Sequence, residues 1–220
     1  MKRLFLPLAT ALLLVACNSG TTVKYQLSFK KTESQSTQND LTTRSLKIIE
    51  RRVDALQSKL LDEHITTENG KTGIELEIAD AGAASVLTEQ LTAPFTLEIM
   101  RQAKTGSGDV TVQGHGSFEK TGITGDHIDW AESAEDDAHK GAINIKMTSE
   151  GAKLMGQLLK SSKGEYIGIF VRGKLVSKLN VKDAEFKESI IIRDIPSAEM
   201  AQVFADDLNV GLHVIFTPLP

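Results

Sequence analysis

The chain has 220 residues, a formal net charge of −4 and a single cysteine. Its 29 acids outnumber 25 Lys and Arg, which argues against nucleic acid and anionic lipid headgroups as partners. One cysteine leaves no pair for an internal disulfide, and aromatic residues make up only 5%, so ordinary apolar cores must carry the fold.

Lys2 and Arg3 precede an apolar stretch from Leu4 to Val15, broken by Pro7 and Thr10 and followed by Ala16 and Cys17. A basic start, an apolar run of about a dozen residues and a small-residue end are the marks of an export signal, whereas a membrane-spanning helix needs roughly 20 apolar residues. After removal of residues 1–16, 17–22 form a short polar tether. The signal carries two cations and no acid, so the remainder stands at about −6.

Val23, Tyr25, Leu27 and Phe29 alternate with polar residues, which predicts a strand. Residues 31–40 are rich in Ser, Thr and Gln and read as a loop. Asp40 or Thr42 then caps a long helix with Leu46, Ile49, Val53, Leu56 and Leu60 on one stripe. Asn69-Gly70 marks a turn, Ile74–Ile78 a strand, Ala83–Leu91 a short helix stopping before Pro94, and Phe95–Arg101 a third strand. Residues 103–141 are glycine-punctuated and acidic, and predict loops with one short strand or hairpin near Val110–Phe118. Ile143–Met147 is a strand, and Thr148 or Ser149 caps a helix burying Ala152, Met155, Leu158 and Leu159. Tyr166–Val171 is a continuous apolar run, as in a strand buried on both faces. Arg172-Gly173 turns it into Lys174–Leu179, and Ile190–Ile192 is another strand. Ser197 caps a helix with Ala201, Phe204, Ala205 and Leu208 inward and Gly211 as its left-handed terminator, before a last strand at Leu212–Phe216. The fold class is α+β, ferredoxin-like (split βαβ) in character, with two small sheet-and-helix subdomains at 23–102 and 142–220 joined by 103–141.

The densest polar cluster is Asp126, His127, Asp129, Glu132, Glu135, Asp136, Asp137 and His139. It has neither EF-hand order nor His-Glu-x-x-His spacing, so it reads as a solvated acidic loop and no metal is expected. Gly114-His115-Gly116-Ser117 is not a nucleophile elbow, and the glycines from Gly106 to Gly116 lack the Gly-Lys-Ser/Thr of a phosphate loop. No catalytic residue and no cofactor is expected. Arg51 and Arg52 are candidates for recognising a partner carboxylate, or one is solvated and the other salt-bridged at the sheet edge.

Two resemblances add to this reading. Leu14-Val15-Ala16-Cys17 resembles the lipobox of bacterial lipoproteins. That resemblance implies a lipidated Cys17, a membrane partner through acyl chains, and an envelope protein facing the periplasm. Asn18, where an aspartate would favour the inner membrane, leans it to the outer one. The segments Ile48–Leu56, Leu97–Arg101, Ile123–Ile128, Ser149–Ala152, Ile167–Ser177 and Ser197–Gly211 together resemble, in order and spacing, the first periplasmic domain of the SecD family of protein-export subunits. The resemblance implies a base and a mobile head, unfolded or translocating polypeptide or Sec components as partners, and a contact surface at the Arg172, Gly173, Lys174 turn. This sequence departs from the family at Asp194, where glycine is usual, at Lys178, near a proline, and at His213-Val214, in place of Leu-Pro. Where the family has a transmembrane helix this sequence has the lipobox-like segment, and the family's proton-coupled membrane region is not expected to accompany it. The resulting expectation is a non-catalytic, SecD-like lipoprotein that binds polypeptide or assists export. The alternative is a structural or adaptor lipoprotein that kept only the fold.

Overall fold

The computed structural model describes residues 20–30, 33–104, 107–135, 139–181 and 189–220; Cys17 and the export signal lie outside them. The first lobe begins with β1 (Thr21–Phe29), α1 (Gln35–Ala55), β2 (Leu60–Glu68), β3 (Lys71–Ile78) and α2 (Ala81–Thr92). The second comprises β4 (Leu97–Gln102), β5 (Val110–Val112), β6 (Gly116–Thr124), β7 (Ile128–Glu135), β8 (Gly141–Met147), α3 (Ser149–Ser161), β9 (Tyr166–Val171), β10 (Lys174–Asn180), β11 (Ser189–Ile195) and α4 (Ala198–His213). The chain then returns to the first lobe through β12 (Val214–Leu219).

The first sheet has the order β12-β1-β3-β2 and is antiparallel throughout. β3 lies between β1 and β2, so strand–helix–strand is split, as in ferredoxin-like folds. The expected fold class is α+β, and it is observed, but its sheets cross the division drawn from the sequence. β4, within 23–102, pairs with β9 and β6 of the second lobe, and β12, within 142–220, pairs with β1 of the first. The second lobe has two sheets, β10-β9-β4-β6-β5 and β11-β8-β7.

Among the described residues three apolar clusters result. Tyr25, Ile48, Ile49, Val53, Ile74, Leu76, Leu87, Val214 and Phe216 fill the first lobe. Ile99, Ile123, Ile143, Ile145, Met155, Ile167, Ile169, Ala205 and Leu208 fill the second. On the other face of the five-stranded sheet, Met100, Phe118 and Phe170 form a small third cluster, with the two rings edge-to-face at 5.2 Å. This double burial explains the unbroken apolar run of β9.

Several expectations are corrected. α1 starts at Gln35, capped by Ser34, whose hydroxyl accepts from the Thr37 N–H; Asp40 and Thr42 lie inside the helix. Leu60 begins β2, a strand the sequence hid because Leu61 is an extra residue in its register and the strand lies at the sheet edge. The described residues of 103–141 include the strands β5, β6 and β7 and a 3₁₀ turn at Gly125–His127. Gly211 lies within α4 and has no left-handed backbone; its bareness serves contact, because a Cβ there would lie 2.2 Å from the Phe95 ring. Phe204 faces outward and is 46% exposed.

Candidate functional site

Arg52 on α1 and Arg172 at the β9–β10 turn, far apart in sequence, meet at Asp207 of α4. The turn makes this possible. Arg172 and Gly173 both have left-handed backbones, with φ of 50° and 73°, the pattern of a tight turn matched to strand twist. Arg172 N–H donates to the Thr96 carbonyl at 2.8 Å, and its guanidinium lies 5.7 Å from the centre of the Phe95 ring. Arg52 donates through Nη1 to the Gln90 carbonyl at 3.4 Å, and its Nη2 is 4.0 Å from Asp207 Oδ1. Burial lowers the basicity of Arg52; Asp207 opposes this, and the neighbouring cations Arg172 and Arg51 add to it. Burial pushes the Asp207 carboxyl up, against the pull of Arg52, Arg51 and Arg172.

Two cavities share this wall of Arg52, Phe95, Arg172 and Asp207. One, of about 300 Å³, runs toward the first lobe and also meets Lys30, Pro94 and Val214. The other, of about 280 Å³, is an apolar groove between Val176 of β10, Ile192 and Ile195 of β11, and Phe204 and Leu208 of α4. Val176 is 52% exposed although it lines the groove. It is the extra residue where the β10–β9 register slips, and β11 slips likewise between Ile192 and Ile195. Both strands end their sheets, and bulges on such edges hinder further strand pairing while redirecting side chains. The groove therefore offers side-chain contact more readily than a strand edge.

The remaining sequence candidates fall elsewhere. Arg51 Nη1 is 3.9 Å from Asp206, and Gly173 and Lys174 line neither cavity. The acidic cluster is distributed along β7 and its flanks: Glu132 pairs with Lys146 at 2.6 Å, Glu135 with His139 at 2.5 Å, and His127 Nδ1 accepts from the Thr124 N–H at 3.1 Å. Asp136 and Asp137 lie outside the described residues. Among the described residues no group of His, Cys, Asp and Glu could hold a metal ion, and no helix is long and apolar enough to cross a membrane. Phe95, Phe204, Asp207 and Val176 were missed as site residues. The available signal was Asp206-Asp207, a charged pair interrupting the apolar stripe of α4.

The fold is an α+β domain in which a second lobe, with a solvent-open apolar groove, is inserted into a split-βαβ sheet. Residues 98–212 match the family described as SecDF, P1 head subdomain, and the chain belongs to that family. The match runs from β4 to the end of α4. The chain is 28% identical over 173 residues to protein translocase subunit SecD of Rhodobacter capsulatus, covering 72% of this chain and 30% of that one. It is 24% identical over 208 residues to protein translocase subunit SecD of Rickettsia conorii, covering 86% and 40%. It thus spans well under half the length of these relatives. The crystal structure of SecDF, a translocon-associated membrane protein, from Thermus thermophilus superposes with a TM-score of 0.53 at 16% identity, over 91% of this chain and 30% of that one. SecDF in its super-membrane-facing form gives 0.52 at 14% identity, over 92% and 30%.

Proposed function

We propose that this protein is a non-catalytic envelope lipoprotein, anchored by acyl chains on Cys17, that faces the periplasm and holds apolar stretches of unfolded polypeptide during export. The observation that carries the reading is the groove of Val176, Ile192, Phe204 and Leu208, open to solvent and set in the lobe that matches the SecDF head. Large apolar side chains left exposed around a concavity mark interaction sites. Family membership supplies the class of partner, translocating polypeptide or Sec components. The lipobox pattern supplies the anchor, and the residue after Cys17 favours the outer membrane.

A photoreactive residue at Val176 tests the reading in cells: it should capture exported chains early in translocation, and a Phe204→Glu change in the same protein should reduce capture severalfold. Capture only of folded envelope proteins would support the adaptor role instead. Cys17→Ser should abolish metabolic labelling with a palmitate analogue and release the protein from the membrane fraction; persistent labelling would remove the anchor from the proposal.

A further inference from the structure

The cavity beside the groove is unbalanced in charge. Lys30, Arg52 and Arg172 line it against one carboxylate, Asp207. Arg52 reaches Asp207 only at 4.0 Å, the outer limit of an ion pair, and Arg172 forms no ion pair among the described residues. The adjacent Asp206 offers no relief, since Arg44 holds it at 2.5 Å and Arg51 stands 3.9 Å away. The other walls are apolar: Ile48, Leu91, Phe95 and Val210. A guanidinium lying over an aromatic ring keeps its planar fork of N–H donors free for a carboxylate.

We infer that this cavity is a carboxylate subsite, which takes an acidic residue flanked by apolar residues in the segment that the neighbouring groove holds. The inference rests on the polypeptide-holding reading and narrows it to a class of segment. The apolar flank lies in the groove, the carboxylate reaches Arg52 and Arg172 across the shared wall, and Asp207 is the internal anion it displaces. Burial, which disfavours the Asp207 carboxylate, makes that displacement easier. The crowding of Arg52 by Arg51 and Arg172 is relieved by the same event.

The test uses the purified full chain and two fluorescent apolar peptides with blocked ends, identical except for Glu or Gln at one central position. The Glu peptide should bind roughly tenfold tighter at low salt, and the preference should shrink as ionic strength rises. Arg172→Gln, on an exposed turn, should bring the two affinities together, the Glu-to-Gln affinity ratio being the readout. Asp207→Asn should widen the preference, an outcome that mere structural damage would not produce. Equal affinities for the unaltered protein overturn the subsite while the polypeptide reading stands. If neither peptide binds, that reading fails and a smaller probe decides the subsite alone. N-acetyl-phenylalanine, but not its amide, should shift the Nε–H resonances of Arg52 and Arg172, and the absence of such shifts with the acid overturns it.

Discussion

Asn209 is fully buried and does the work of a missing strand. Its Oδ1 accepts from the Ala131 N–H and its Nδ2 donates to the Ala131 carbonyl, both at 2.8 Å. β7 ends its sheet, so these backbone groups have no neighbouring strand, and an amide side chain from α4 reproduces the pair of bonds one would make. Asn209→Ala leaves a buried donor and acceptor unmet, which should cost about 2–4 kcal/mol in urea unfolding. A loss below about half a kcal/mol would show that water replaces the amide without penalty. Nothing in the sequence marks Asn209, since a polar residue on a helix is ordinarily a solvated one. Other residues were more legible. Asp194, flagged because its family relatives have glycine there, has a φ of 60°, so it holds a left-handed position that glycine would fill without strain.

α1 and α4 are joined by a charge cluster at the level of whole elements. The Asp206 side chain is 3% exposed and takes Arg44 Nη1 at 2.5 Å and Gln202 Nε2 at 2.7 Å, with Arg51 at 3.9 Å. Arg44 also bonds Asp40 on its own helix at 2.7 Å and lies 5.7 Å from the centre of the Trp130 ring on β7. The helix of one lobe is thus tied to the helix of the other by one nearly buried carboxylate. Asp206→Asn removes the shared carboxylate, and because Arg44 keeps Asp40 and some solvent the loss should be about 2–3 kcal/mol, at or below the lower end of the range for broken buried pairs. Replacing both partners, Arg44→Met with Asp206→Leu, should restore most of it, because the desolvation cost leaves with the charges. A double variant as unstable as Asp206→Asn would mean that the cluster contributes more than its own charges require. The elements themselves were readable where one face is buried, as in β3 and α3. They were not readable where polar residues extend an element. Residues 35–40 continue α1 with a largely exposed surface, and β6 and β7 carry the glycines and acids that suggest a loop.

At the scale of the whole molecule, the chain closes its first sheet only after building an entire second lobe. Nothing in the apolar pattern of residues 214–219 says that their partner is β1 rather than a nearer strand, because pairing partners are set by tertiary packing and periodicity gives only the element. The register from Lys24 opposite Leu219 to Phe29 opposite Val214 puts Val214 and Phe216 into the first core, with the Phe216 ring edge-on to Tyr25 at 6.1 Å. Ending the chain after His213 removes both side chains, roughly 4 kcal/mol of apolar burial, and bares the β1 edge. His213 itself stays, packed on Trp130 of the second lobe at 5.3 Å between ring centres. If the lobes are separate cooperative units, amide exchange should accelerate in β1 and β3 of the shortened protein while β4 and β9 keep their protection. Simultaneous loss of protection in all four strands would show one unit, with the Asp206 cluster and α4 coupling the lobes too tightly for independent opening. Retained protection in β1 would show that β3 and the two helices suffice to hold it, and that β12 serves to fix the exit of α4 rather than the stability of the sheet.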